Sequence, residues 1–344
     1  MSAPPPLSPP RPPWWQWINW LALDAVAVAL AWLPVFATMT GARLTPVNYG
    51  VLGAAVWLVY LLDRLLDSSQ GQATAERHRF ARAHARWLLP LMGAVAAAAL
   101  WASLHHLRAV TLLAGGGLVG AVLLYFACLA ATRYKALRQI LLLLLGLALT
   151  ALLASTALAL AFLPSELSSS RGSLIWQAVA AASLLALVLR GRHQLGPPRP
   201  WILLKKAFGG YLFALGVALA PFAHLQDWDG LLRGTPVLLF AGACALNSLG
   251  IRLWEAPQEP QSLSLVRLYP WLLAALAAAA TLSLAEADAW SRPLLGGTAA
   301  CAVGFAVLHA LRRHWPASAA ALAADGCMVA VALVLRSLGP LNPG

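Results

Sequence analysis

Charge is what this chain has least of. Only 10% of its 344 residues are Asp, Glu, Lys or Arg, and only 12 are acids, whereas a soluble domain carries about 25% charged residues. With 60% hydrophobic residues and a mean hydropathy of +0.73, an ordinary water-soluble globule is excluded. Short segments of alternating polarity are missing too, which excludes a membrane β-barrel. The cysteines Cys128, Cys244, Cys301 and Cys327 all fall inside apolar runs and form no Cys-x-x-Cys pair. They read as small buried hydrophobes, not as disulfide partners or metal ligands. Residues 1–13 are Pro-rich with a single Arg and lack a signal-peptide cleavage signature, so they read as a disordered cytoplasmic leader.

What the chain does have is a series of Ala/Leu/Val/Gly-rich runs of about 18–25 residues, the length a helix needs to cross a bilayer. The expected fold is an all-α polytopic transmembrane helical bundle, one domain over 14–344. Eleven helices are predicted, at 14–38, 47–67, 86–105, 108–131, 138–163, 173–190, 201–222, 233–254, 267–287, 293–312 and 317–338, separated by breakers such as Gly41, Pro46, the polar run 68–79, Pro164, Gly196-Pro197-Pro198, Pro293 and Pro316.

The net charge of +12 is scattered over loops, not gathered in a block, which argues against a nucleic-acid partner and for membrane orientation. In the eleven-helix topology Arg43, Arg108, Arg171, Arg233, Arg292 and Arg336 fall on one side, and the remaining eighteen of the 24 Lys and Arg on the other. Basic excess marks the cytoplasm. The N-terminus is therefore expected inside, in an integral protein of a bacterial inner (plasma) membrane. Trp14, Trp15, Trp17 and Trp20 read as interfacial anchors. Gly115-Gly116-Gly117 with Gly120, and Gly209-Gly210 with Gly216, read as sites of close helix approach.

Asp24, Asp63, Asp67, Glu255 and Asp325 lie in or at the ends of apolar runs, where an acid normally faces the bundle interior and has a partner. Asp63 and Asp67 are four apart and share a helix face; a cation between them would relieve their repulsion, and hard oxygen ligands suit Mg²⁺. The plainer reading puts both acids in the headgroup layer, with Arg64 a solvated neighbour. Asn247, Ile251 and Glu255 share a face near the end of the eighth helix, so two helices are expected to deliver oxygen ligands to one membrane face. Lys205 and Lys206, with Arg77, His78 and Arg79, would ring such a centre with cations, as a diphosphate requires. The same cations, taken singly, also simply obey the orientation rule. The histidines at 105, 106, 309 and 314 show no metal-ligand spacing and read as polar or interfacial side chains.

The segments Tyr60-Leu-Leu-Asp63-Arg64-Leu-Leu-Asp67, Lys206 to Gly216, Asn247 to Glu255, and Leu21-Ala-Leu-Asp24-Ala with Trp32 resemble a divergent branch of the UbiA superfamily of intramembrane prenyltransferases. The resemblance implies a nine-helix bundle here enlarged by a two-helix insertion over 138–190. It implies Mg²⁺-dependent transfer of a prenyl group from a prenyl diphosphate to a lipophilic acceptor. Asp63, Asp67 and Glu255, with Asn247, would hold Mg²⁺; Lys206, Arg79 and Arg252 would clamp the diphosphate, with Arg64 beside them; Tyr60 or Tyr211 would face the allylic cation. Two features depart from the pattern: Val59-Tyr60 stands where the first motif usually has Asn-Asp, and the second motif lacks its Asp pairs. The depletion leaves two alternatives standing: a UbiA-type terpene cyclase, and a non-catalytic lipid-binding or transport bundle whose functional acids are Asp24 or Asp325.

Overall fold

A computed structural model describes residues 13–69, 76–131, 199–255, 260–289 and 291–338. The expected helices 138–163 and 173–190, and most of the leader, lie outside the described residues. All described secondary structure is helical: α1 (Trp15–Trp20), α2 (Leu23–Thr40), α3 (Pro46–Ser69), α4 (Glu76–Ala83), α5 (Ala85–His106), α6 (Ala109–Ala131), α7 (Arg199–Leu225), α8 (Trp228–Arg233), α9 (Thr235–Glu255), α10 (Pro260–Glu286), α11 (Arg292–Leu311), a 3₁₀ turn (Arg312–His314) and α12 (Ala317–Ser337). Nine helical stretches among these residues are long and apolar enough to cross a membrane, so the chain reads as an integral membrane protein.

α9 is the hub: it packs along α7 and also touches α8, α10, α11 and α12, while α2 packs on α12, α3 and α7. Trp32, Phe36, Phe240 and Phe305 are fully buried between these helices, with the Trp32 and Phe240 rings 4.6 Å apart. Trp32 Nε1 also donates to the Met328 carbonyl at 3.1 Å, so its polar edge is met inside the core. α5 and α6 pack mainly on α3 and α7 respectively and leave Trp101, Leu113 and Leu124 exposed, the surface expected to face lipid.

The observed elements depart from the expected ones at three places. The first helix is two: the chain breaks at Leu21–Ala22, where Ala22 takes a left-handed φ of 57°, a conformation that costs an L-residue about 1 kcal/mol. Within the polar run 68–79 begins a further helix, α4, on whose Phe80 ring Trp17 and Trp20 pack at 5.3 and 5.2 Å; two of the expected interfacial tryptophans thus hold α1 against α4. A third short helix, α8, is opened by Asp227, whose carboxylate accepts from the Gly230 N–H at 2.9 Å. Of the glycines expected at close approaches, Gly210 is the one that needs its missing side chain: a Cβ there would lie 2.6 Å from the Ala241 carbonyl oxygen and the Ala245 nitrogen of α9. Gly209 and Gly216 would meet neighbours at 3.7 Å, and Gly115, Gly116, Gly117 and Gly120 nothing within 4 Å.

Candidate functional site

The break between α1 and α2 has to be stabilised, because it frees backbone carbonyls inside a membrane bundle. Arg64 does this. It is 5% exposed, donates to the Asn19 carbonyl and, at 2.7 Å, to the Trp20 carbonyl, and lies 3.9 Å from the Asp24 carboxylate. Asp24, at the N-terminus of α2, accepts from Asn19 Nδ2 at 2.6 Å and from the Ala25 N–H at 2.9 Å. The plainer of the two sequence readings, with Arg64 a solvated neighbour, does not hold: the side chain turns inward and closes the break.

Against this buried unit lies a cavity of about 100 Å³, to which Tyr60, Asp63 and Arg64 of α3, Arg77 and His78 of α4, Lys206 of α7, Asn247, Ser248 and Ile251 of α9, and Asp325 of α12 contribute. A second cavity of about 100 Å³ adjoins it across a wall made by Tyr60, Asp63, Lys206, Phe213, Cys244 and Ser248. Tyr125 and Phe126 of α6, and Gly209 and Gly210, line its other sides. The first chamber carries more charge and the second more aromatic rings, although Asp63, Lys205 and Lys206 line the second as well, and Lys206 and Tyr60 stand in the common wall.

Within the charged chamber most groups are already matched. Lys206 Nζ donates to Ser248 Oγ at 2.8 Å, Lys205 approaches Asp63 at 3.9 Å, and Asn247 Nδ2 donates to Asp325 Oδ1 at 2.6 Å. Two buried side-chain polar atoms among the described residues have no hydrogen-bond partner: Asn247 Oδ1 and His78 Nδ1. Burial, and next the neighbouring Arg77 guanidinium, push His78 down to about 4, so its ring is neutral at pH 7.

The expected site residues divide as follows. Tyr60, Asp63, Arg64, Lys206 and Asn247 line the same cavity. Glu255 does not line it and pairs instead with Arg77 at 2.7 Å. Arg79 is exposed, 4.0 Å from Glu76 on its own helix, and the Tyr211 hydroxyl donates to the Leu232 carbonyl at 2.8 Å, away from both cavities. Arg252 is half-buried one turn before Glu255. The Asp67 side chain lies outside the described residues. Asn19 and Ser248 join the cavity without having been singled out as site residues, and Arg77 and His78, expected in the ring around the centre, line it too. For Asn19, the nearby Asp24 within an apolar run was the available signal.

Of the four residues expected to hold Mg²⁺, Asp63 and Asn247 line the cavity, Glu255 does not, and the Asp67 side chain lies outside the described residues. No group of three or more His, Cys, Asp or Glu among the described residues is placed to hold a metal. Asp63 is drawn to Lys205 and Glu255 to Arg77, and the chamber is shared by three cations, Arg64, Arg77 and Lys206, and three carboxylates, Asp24, Asp63 and Asp325. Elsewhere, His309 proves to be core and not interfacial: it is 6% exposed and accepts from Trp254 Nε1 at 3.2 Å. Cys244, Cys301 and Cys327 carry free thiols. Set beside known proteins, the chain matches no family model, no curated protein and no solved structure.

Proposed function

We propose that the protein is a UbiA-like intramembrane prenyltransferase, taking a prenyl diphosphate with its head in the charged chamber and its tail toward the aromatic one. The supporting observation is the meeting of Lys206, Arg77 and Asp63, from three separate stretches of chain, on one cavity beside a slot walled by Tyr60, Tyr125, Phe126 and Phe213. Lys206 and Arg77 would neutralise the diphosphate as its bond to the allylic carbon breaks. Tyr60, at the wall common to both chambers, would face the carbon left positive. Mg²⁺ enters this reading as the ion carried by the diphosphate, since Mg²⁺ commonly takes much of its coordination from substrate phosphates and water. The N-terminus and this chamber would face the cytoplasm of a bacterial cell.

Thermal unfolding of the purified chain in detergent tests the reading. Mg²⁺ together with geranylgeranyl diphosphate should raise the midpoint where neither alone does, and Asp63→Ala with Asp67→Ala should abolish Mg²⁺-dependent diphosphate release. A second reading, a non-catalytic lipid-binding bundle that kept the fold, is favoured by the pairing of Glu255 with Arg77. It predicts no shift with the diphosphate.

A further inference from the structure

The prenyl-diphosphate reading uses cations that line the two chambers and leaves another group without a role: Arg267 on α10, with Arg312 and Arg313 in the 3₁₀ turn after α11. A short connection joins α10 to α11 and the two pack along each other, so they run antiparallel. The Tyr269 and His309 rings, 5.0 Å apart, set the register. Arg267 precedes Tyr269 and Arg312 follows His309, so the arginines gather at one end of the pair, level to within a helical turn. That end is a membrane boundary, because the apolar spans of both helices terminate there.

Among the described residues no acid pairs with Arg267, Arg312 or Arg313. α11 and the turn contain no Asp or Glu, α10 has only Glu286 at its far end, and α12 has only Asp325, which is bonded to Asn247. Of the acids just before α10, Glu255 is paired with Arg77, and Glu259 lies outside the described residues. Arg312 donates to the His309 carbonyl at 2.5 Å, which ties its guanidinium to the end of α11 and leaves further N–H groups unused. Like charges at adjacent positions repel, and an oxyanion accepting from both relieves the repulsion. Trp271, 75% exposed, shares a helix face with Arg267, and Trp315, 44% exposed, follows the turn. Indoles at the end of a span sit at headgroup depth, and a soluble anion would leave them unused. We propose that this end of α10 and α11 binds the headgroup of an anionic phospholipid, with the three arginines on its phosphate and Trp271 and Trp315 against its glycerol and upper acyl chains. None of these residues lines either chamber, and the site does not rest on prenyl transfer.

The test is equilibrium binding of dioleoylphosphatidylglycerol and dioleoylphosphatidylcholine to the full chain in a neutral detergent, followed by native mass spectrometry. The second lipid carries the same phosphate but adds a choline cation, which the arginines repel. The wild type should bind the phosphatidylglycerol on the order of tenfold more tightly. Arg312→Gln with Arg313→Gln should bring the two lipids level. Arg82→Gln with Arg86→Gln removes as much charge elsewhere, where Arg86 already lies 5.6 Å from the Trp87 ring, and should leave the preference in place. If the first variant does not fold, Arg267→Gln with Arg313→Gln replaces it, since both side chains are exposed and the bond from Arg312 to His309 is kept. That variant should cut the preference about fivefold. Equal binding of the two lipids by the wild type overturns the site, and so does an equal loss of preference in the variants at the two places, as expected if net charge alone counts. Glycerol phosphate has the charge without the acyl chains and should not displace the lipid at the same concentration; displacement would overturn the lipid assignment in favour of a soluble anion.

Discussion

Arg64 lies 3.9 Å from Asp24 with both side chains almost wholly buried, and the pair spans the point where the first membrane helix is interrupted. Arg64 spends its N–H groups on the carbonyls that end α1, so charge pairing and backbone capping are carried by the same side chain. Removing one partner of a buried pair strands the other. Arg64→Met should therefore lower stability by about 3–5 kcal/mol, seen as a large drop in the thermal midpoint in detergent. The double variant Arg64→Met with Asp24→Asn should recover part of it, because no unpaired carboxylate remains.

The contact between α7 and α9 gives a sharper steric prediction. At Gly210 a Cβ would meet backbone atoms at 2.6 Å, whereas at Gly209 the nearest neighbour is the Tyr125 hydroxyl at 3.7 Å. Backbone cannot swing aside as a side chain can. Gly210→Ala should cost on the order of 1–3 kcal/mol, and Gly209→Ala little or nothing. Equal losses in the two variants would mean that the helices are not in this register.

His78 sets a pH dependence. Its folded-state value of about 4 lies below the ordinary 6.5, so between these limits the unfolded chain binds more protons than the folded one. His78's contribution is intact above about pH 6.5 and is lost progressively as pH falls toward 4. Melting curves across that window should show a smaller acid-side decline in His78→Gln than in the wild type.

The spans were legible because length and apolarity alone place a helix in a bilayer. So was the meeting of Asp63, Lys206 and Asn247 on one cavity, since acids and cations at helix ends tend to turn away from lipid. The rotation of α3 was not. Its residues are apolar almost all round, so nothing in the sequence says that Arg64 turns inward beside Asp63; the carbonyls that end α1 and the Asp24 carboxylate draw it there. The break at Ala22 was hidden for a similar reason: neither Gly nor Pro marks it, and its stabiliser lies over forty positions away at Arg64. Glu255 was read with Asn247 because the two share a helix face. What the sequence could not supply was α4, which brings Arg77 to Glu255.

That last pair separates two roles for Glu255. A metal ligand would make Glu255→Gln as damaging to Mg²⁺–diphosphate binding as any change in the chamber. As the partner of Arg77, 2.7 Å away and outside the cavity lining, Glu255 acts on α4 instead. Glu255→Gln should then lower the thermal midpoint, by about 1–3 kcal/mol for a lost charge-assisted hydrogen bond. The freed Arg77 guanidinium would still be available to an anion, so affinity for geranylgeranyl diphosphate with Mg²⁺ should hold or rise. Arg77→Gln should lower both, because Arg77 serves the cavity and the contact between α4 and α9 at once. Calorimetric titration of the three proteins with the diphosphate, beside their melting curves, decides the matter: a loss of affinity in Glu255→Gln matching that in Arg77→Gln would return Glu255 to the metal-binding role.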